Sequence, residues 1–233
     1  MNPVKFDLHI FDIDDTLVNT KEAYWYAQEA ALKDVYPDVA EEDLKAYLPR
    51  LKWLCATFGS GNIEEYFSAF LSSTSNIFPF SVERFNKVVA KYRDFFKSQF
   101  KSFEYVKEYL RYLLDEKKKL AIVSNGAVDS QLSKLKRTGL STFFPQNTTF
   151  VSGQFPKHLE KPSPYMLKKA CGHSDVLPEK TVFYGNSDVD ILAGNLAGMT
   201  TAHFAGTTKV SSELSLFSSP DFVFSSWSEL FPC

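Results

Sequence analysis

"HIFDIDDTLVNT", residues 9–20, is the stretch on which the reading of this chain turns. An apolar run meets three aspartates within four positions: Asp12, Asp14 and Asp15. Aspartate is depleted from strands and repels its own kind. A strand therefore ends at Asp12, and the crowding serves something beyond that end. In an open parallel sheet, ligands sit outside the carboxyl ends of the strands. Asp12 leaves the strand directly at that edge, and Asp14, two positions on, projects to the same side if the chain stays extended. Two carboxylates held close suit either a metal site or a nucleophile paired with an acid. A solvated loop is the plain alternative for isolated acids, and the strand context weighs against it.

Working outward, five short apolar runs read as strands: Phe6–Phe11, Leu120–Ser124, Thr149–Val151, Thr181–Tyr184 and Thr201–Phe204. "LAIVS" and "TVFY" lack polar alternation, the pattern of a sheet buried on both faces. Helical segments lie between them. In "FEYVKEYLRYLLDE", Val106, Leu110, Leu113 and Leu114 fall on one helical stripe. In "AVDSQLSKLKRTG", Val128, Leu132 and Leu135 do the same, with Lys136 and Arg137 suited to the last turn and Gly139 to the end. "SPYMLKKACG" offers Ser163 as cap, Pro164 in the first turn and Gly172 as stop. Strands alternating with helices predict a parallel, Rossmann-like α/β sheet with right-handed crossovers. One interval breaks the rhythm. About 107 residues separate the first two strands, where a crossover needs only about a dozen. Residues 19–97 read as helical throughout, which predicts an all-α domain inserted into a core of residues 1–18 and 98–233. The Ser-rich "TTKVSSELSLFSS" reads as a surface loop or short helix.

Totals narrow the function class. The chain has 233 residues, 44% apolar and 23% charged, with a net charge of −2. That fits a globular protein with a real core and no basic field for nucleic acid. Cys55, Cys171 and Cys233 are odd in number and scattered, with neither metal spacing nor a disulfide framework. The acids arrive too early in "MNPVKFDLHIFD" for a signal peptide, and no apolar run approaches the roughly 20 residues of a membrane span. A cytoplasmic protein without a membrane partner is expected.

"FDIDDTL" resembles the first motif of the haloacid dehalogenase superfamily: aspartate, any residue, aspartate, any residue, threonine. Three further stretches follow in that family's order, and a helical cap after the first strand is also part of the pattern. The resemblance implies that Asp12 is the nucleophile, forming an aspartyl phosphate and dividing one hard step into two. It implies that Asp14 is the general acid, then the base that activates water. Thr16 would hold the turn through its hydroxyl and belong to the phosphate site, while Asp15 has no assigned role and is expected to face away. An anionic nucleophile beside an anionic phosphate, at about 3.5 Å and an effective dielectric near 20, costs roughly 5 kcal/mol. Cations must offset that repulsion.

"IVSNGAVDS" resembles the second motif, so Ser124 and the Asn125 backbone are expected to grip phosphate oxygens at a helix start. "HLEKPSPYML" places Lys161 where the family has its motif lysine, pairing with Asp12 and phosphate; Lys157 lacks the Lys-Pro context. "VFYGNSDVDILAGNLAGM" resembles the fourth motif, with Gly185 as a tight exit, Asp188 as cap and Gly198 as stop. The family places an aspartate straight after the glycine and another four residues later; this chain has Asn186 and Asp190. The expected Mg²⁺ ligands are Asp12, the Asp14 carbonyl, Asn186 through its amide oxygen, and Asp190 through water.

The implied function is a Mg²⁺-dependent phosphatase of a small phosphorylated metabolite, nearest the phosphoglycolate-phosphatase-like and nucleotidase-like branches. A phosphomutase shares the same core residues and stands as the alternative, as does a non-catalytic binding protein that keeps the fold. A dehalogenase is disfavoured because those relatives lack an acid at the position of Asp14. Among weaker signals, His9, His158, His173 and His203 show no paired ligand spacing. Phe67, Phe70, Phe95 and Phe96 read as helix packing. The turn "ATFGSG" at residues 56–61, with Arg50, Lys52 and Trp53 nearby, is a candidate for substrate contact.

Overall fold

The computed structural model describes residues 3–206 and 219–232. It divides into two compact units, residues 1–19 with 101–233, and residues 20–100. The Ser-rich segment at 207–218 lies outside the described residues.

The first unit is built on six parallel strands: β1 (Leu8–Phe11), β2 (Lys119–Ser124), β3 (Thr149–Val151), β4 (Thr181–Gly185), β5 (Thr200–Phe204) and β6 (Phe222–Phe224). Their order is β3-β2-β1-β4-β5-β6. This is a doubly wound, Rossmann-like sheet, and the order reverses between β1 and β4. Phe11 stands level with Ile122 on one side and Tyr184 on the other. The residues that follow β1 and β4 therefore emerge side by side at the same edge.

Alternation along the strands sends successive side chains to opposite faces. Leu8 and Ile10 of β1 and Phe183 of β4 pack with Ala121, Val123, Met166, Leu167, Ala170 and Ala193 in one buried cluster. Those partners come from β2 and two helices, α7 (Tyr165–Ser174) and α8 (Asp188–Ala197). On the other face, Phe11 stacks on Tyr184 at 4.7 Å between ring centres, and Tyr184 packs on Trp227 at 5.7 Å. Helix α5 (Val106–Asp115) adds Tyr109 to this aromatic layer. Each fully buried large apolar side chain contributes about 1.5–3 kcal/mol. With both faces covered, the central strands have no polar alternation to show.

Polar groups in the aromatic layer form a chain: His9 Nδ1 lies 3.0 Å from the Tyr184 hydroxyl, which lies 2.8 Å from that of Tyr109. Burial, helped by the Lys118 charge, pushes the His9 pKa down to about 3 against a hydrogen bond at Phe6 that raises it. The folded state thus holds a neutral imidazole that the unfolded chain protonates near pH 6.5. Its contribution is complete above that pH and is lost as pH falls toward 3, by about 1.4 kcal/mol per unit. Denaturant unfolding between pH 7 and 4.5 should be steeper in pH for the wild type than for His9→Leu; parallel curves would show that His9 is protonated in the folded protein.

The structure adjusts the sequence reading in places. Strand β1 starts at Leu8, because residues 3–5 take a tight 3-10 turn. In α5, Leu114 is exposed and Tyr109 takes the buried place. Helix α7 starts after Pro164, runs through Gly172 and stops at Asp175, whose left-handed backbone (φ 50°) ends it. Helix α8 is capped by Ser187, not Asp188. The sixth strand was not foreseen. Among the described residues, no helix is long and apolar enough to cross a membrane.

The second unit contains α1 (Thr20–Val35), α2 (Glu41–Phe58), α3 (Ile63–Ser73) and α4 (Val82–Ser98). The sequence placed this unit at 19–97, and the last turn of α4 carries it further. Ser81 starts α4 by accepting from the Arg84 amide. The core joins Ala27, Leu32, Leu51, Tyr66, Phe67, Phe70, Phe78, Val88 and Tyr92, with Phe95 and Phe96 packed against it. The four phenylalanines singled out in the sequence thus belong to helix packing.

Candidate active site

Beyond Phe11 the chain folds into a tight loop. The amides of Leu17 and Val18 both bond to the Ile13 carbonyl, and the Asp15 amide bonds to the Val18 carbonyl. Trp227 props this loop from beneath by donating its indole N–H to the Thr16 carbonyl at 3.3 Å. Asp12 and Asp14 are carried to the sheet edge on that loop, and the Asp12 amide is fixed by the Tyr184 carbonyl at 2.9 Å.

A cleft of about 370 Å³ opens at this edge, lined by Asp12, Asp14, Ser124, Asn125, Lys161, Asn186 and Asp190 among others. Lys161 is buried with its Nζ donating to Asp12 Oδ1 and to Asp190 Oδ1, each at 2.6 Å, and to the Val123 carbonyl at 3.2 Å. Its backbone is locked to the loop between β2 and helix α6 (Val128–Arg137) by a reciprocal pair. The Lys161 amide donates to Asn125 Oδ1, and Asn125 Nδ2 donates to the Lys161 carbonyl, both at 2.9 Å. Asp190 spends its second oxygen at the head of α8, where it accepts from the Ser187 amide and hydroxyl at 3.0 and 2.6 Å. Both Asp190 oxygens thus face donors of the chain, which orients Lys161 and leaves any role beside a metal to an intervening water. Gly185 makes this approach possible, because a Cβ there would lie 2.3 Å from the Asp190 Cβ.

Burial is the largest influence on Asp12 and raises its pKa well above the carboxylate range. Lys161 works against that rise, while the charges of Asp190 and Asp14 add to it. For Lys161 burial disfavours the charged form, but Asp12 and Asp190 outweigh it and hold the pKa above the ordinary lysine value. The lysine therefore stays charged beside a carboxylate whose charged form burial disfavours. Ser124 supplies the complementary signal: its hydroxyl is buried, lines the cleft and has no hydrogen-bond partner among the described residues. A buried hydroxyl left unmatched carries a cost of about 1–3 kcal/mol, which an incoming oxyanion would remove.

Among the described residues, no three His, Cys, Asp or Glu side chains gather to hold a metal ion. The oxygen donors at the cleft are instead mixed, with the Asp12 carboxylate, the Asn186 amide and the Asp14 residue on its wall. Hard oxygens of mixed charge suit Mg²⁺, which keeps several waters and needs only one or two carboxylates.

Other expected residues fall differently. Thr16 is fully buried and is not part of the cleft wall; its hydroxyl faces Asn186 Oδ1 at 3.4 Å, so it braces the loop rather than meeting phosphate. Asp15, expected to face away, lies on the cleft wall, where a left-handed backbone (φ 55°) turns the chain. Helix α6 begins at Val128, and the Gly126 amide is already bonded to Ser152 Oγ at 2.9 Å. That amide is thereby engaged within the loop. Lys157 sits in a separate 3-10 turn. In the helical unit, Arg50, Lys52 and Trp53 lie on α2, and Lys52 Nζ stands 4.5 Å over the Trp25 ring.

Two residues that hold the cleft carboxylate of Asp14 were missed altogether. Gln131 and Lys134 of α6 (Val128–Arg137) are buried, and both reach the Asp14 carboxylate. In the structure positions 131, 134 and 135 share the buried face of the helix while 128 and 132 are only partly covered, a face that the apolar spacing of Val128, Leu132 and Leu135 did not mark.

A buried carboxylate–lysine pair and a buried serine hydroxyl thus meet at the switch point of a parallel α/β sheet. A family model described as haloacid dehalogenase-like hydrolase matches residues 9–204, and the chain belongs to that family. Pyrophosphatase PpaX of Bacillus cereus (strain Q1) is 27% identical over 231 residues, 98% of this chain and 96% of the relative. Among solved structures, the protein YfnB of Bacillus subtilis bound to magnesium superposes with a TM-score of 0.70 at 23% identity, covering 97% of both chains. A HAD family hydrolase from Deinococcus radiodurans R1 with bound phosphate and sodium superposes with a TM-score of 0.72 at 21% identity, covering 97% of this chain and 94% of the other. These two likenesses speak for the fold.

Proposed function

We propose that this hydrolase is a Mg²⁺-dependent phosphatase acting on a small phosphorylated substrate through an aspartyl phosphate on Asp12. The observation that carries the reading is the Lys161 bridge, in which one buried ammonium holds Asp12 and Asp190 at 2.6 Å each beside an unpartnered Ser124 hydroxyl. Lys161 orients the free Asp12 oxygen and offsets the repulsion between it and the phosphate. Ser124 donates to a phosphate oxygen. Asp14 protonates the leaving oxygen, then takes a proton from the water that attacks the phosphorus of the acyl phosphate. Asp12, the Asp14 carbonyl and Asn186 would hold Mg²⁺, which adds charge neutralisation at the phosphate. Substrate choice is assigned to the helical unit. The relatives named as pyrophosphatases place inorganic pyrophosphate among the substrates to be screened.

The test is hydrolysis of an aryl phosphate, pyrophosphate and a panel of phosphorylated metabolites, with Mg²⁺ and with EDTA. Turnover that needs Mg²⁺ is expected. A folded protein that hydrolyses nothing at saturating Mg²⁺ would replace this reading with a non-catalytic one.

Asn186 gives a second measurement. A neutral ligand attracts Mg²⁺ less than a carboxylate does. Asn186→Asp should therefore lower the Mg²⁺ concentration for half-maximal activity, by about tenfold for a gain near 1.4 kcal/mol. Calorimetric titration of Mg²⁺ should show the same shift. An unchanged Mg²⁺ requirement would remove Asn186 from the ligand set.

A further inference from the structure

Asp14 is held from outside its own loop. Lys134 Nζ contacts Asp14 Oδ1 at 2.5 Å, and Gln131 Nε2 donates to Asp14 Oδ2 at 2.7 Å. Both donors stand on α6, one helical step apart at i and i+3, so they present to a single carboxylate from one face. They are buried at 2% exposure each, whereas about a third of the Asp14 side chain is open to solvent. An ammonium and an amide on a buried face of a surface helix are costly unless they are matched. Here the match is the carboxylate of a neighbouring loop, 117 and 120 residues away in sequence.

The Gln131 amide nitrogen is shared: it also donates to the Asn125 carbonyl at 2.8 Å. Gln131 thus ties Asp14 to the loop that carries Ser124 and clamps Lys161. The loop is shaped for this contact. Gly126 takes φ +137°, a conformation for glycine, and a Cβ there would lie 2.8 Å from Gln131 Nε2.

We infer that Lys134 and Gln131 are positioning residues that fix the Asp14 carboxylate at the cleft by gripping its two oxygens from α6. This rests on the phosphatase reading, in which Asp14 exchanges a proton with the leaving group and with water. A carboxylate on a partly exposed loop samples several rotamers. Two charge-assisted or amide contacts hold it in one. The bond that breaks is the ester P–O bond. The leaving oxygen takes the proton from Asp14, and the phosphoryl group goes to Asp12. Lys134 and Gln131 touch none of these atoms and act only through Asp14.

The distinguishing readout is leaving-group dependence. Poor leaving groups such as alkoxides need the proton, while a nitrophenolate departs with little help. Misplacing a catalytic group by about 1 Å costs on the order of 10²-fold. Lys134→Met should therefore lower kcat for an alkyl phosphate about 10–100-fold with KM nearly unchanged, and lower kcat for an aryl phosphate by less than about 3-fold. Lys134→Arg should recover most of the alkyl activity. In an Asp14→Asn background the Lys134→Met substitution should add almost nothing, because the group it positions is already gone. Gln131→Leu should act in the same direction and serves if Lys134→Met does not fold by circular dichroism.

Equal losses on alkyl and aryl phosphates, or an undiminished loss in the Asp14→Asn background, would overturn the inference and leave the two residues as a brace for the fold. Asp14→Asn alone separates the two levels of the argument. If that variant slows both substrate classes by the same factor, the acid role falls, and the positioning role falls with it. If it shows the leaving-group pattern and Lys134→Met does not, only the positioning role falls.

Discussion

Asp12→Asn is expected to yield a folded protein with no measurable turnover. The amide is nearly isosteric with the carboxylate, so the loop, the Tyr184 contact to the Asp12 amide and the sheet edge keep their geometry. What is lost is chemistry. An amide oxygen is a far weaker nucleophile, and its adduct with phosphate has no counterpart to the acyl phosphate. Removing the nucleophile of a covalent mechanism costs on the order of 10⁶ in kcat where it has been dissected. The variant should bind Mg²⁺ more weakly and melt no lower than the wild type, because a buried carboxylate whose pKa burial has raised is replaced by a neutral group. Steady-state assays with an aryl phosphate and a thermal melt are the checks. Hydrolysis within about tenfold of wild type by a folded Asp12→Asn would remove Asp12 from the nucleophile's place, a loss far short of that expectation.

Lys161→Met strikes activity and stability together. The lysine bridges two buried carboxylates, Asp12 and Asp190. Methionine fills much of the same volume but leaves those carboxylates facing one another without a cation. Breaking a buried pair by removing one partner costs about 3–5 kcal/mol. The cost depends on pH in a definite direction. Without Lys161, Asp12 loses the charge and hydrogen bond that hold its pKa down against burial, so it keeps its proton to higher pH and the repulsion is relieved at low pH. The variant should then lie closest to wild type near pH 5 and furthest below it near pH 8, with EDTA present in both series. Activity should fall about 10²–10³-fold, the scale for losing one preorganised electrostatic group. A stability gap that stays constant from pH 5 to 8 would mean that Asp12 does not depend on Lys161 for its charge.

Much of this architecture was written in local pattern. The change from an apolar run to aspartates at Phe11 and Asp12 marked both the end of β1 and the place of the site. The lysine before Pro162 and the Gly185–Asn186 exit were legible through the resemblance of their stretches to the family's third and fourth motifs. In the folded chain Asp12, Ser124, Lys161 and Asn186 all line one cleft. What local pattern missed depends on distant partners. Lys134 reads as a polar residue on an amphipathic helix, and only Asp14 reveals why it is buried. Thr16 looked like a phosphate ligand in its motif, yet it is fully buried with its hydroxyl toward Asn186 and its carbonyl bonded to the distant Trp227. Strand β6 is three residues long with Val223 exposed, too short for a period of two to register. Asp175 stopped α7 by adopting a left-handed turn that the sequence assigned to Gly172.

The central claim is that the phosphoryl group passes through Asp12, and a rapid acid quench during turnover tests it directly. With a good substrate and Mg²⁺, quenched protein is digested and the peptide carrying Asp12 is weighed, alongside a sample reduced with borohydride. The account predicts a fraction of that peptide heavier by one phosphoryl group, converted by borohydride to homoserine at position 12, and neither change in Asp12→Asn. Turnover that proceeds with Asp12 unmodified at every quench time, or a phosphoryl group found on any other residue, would contradict it.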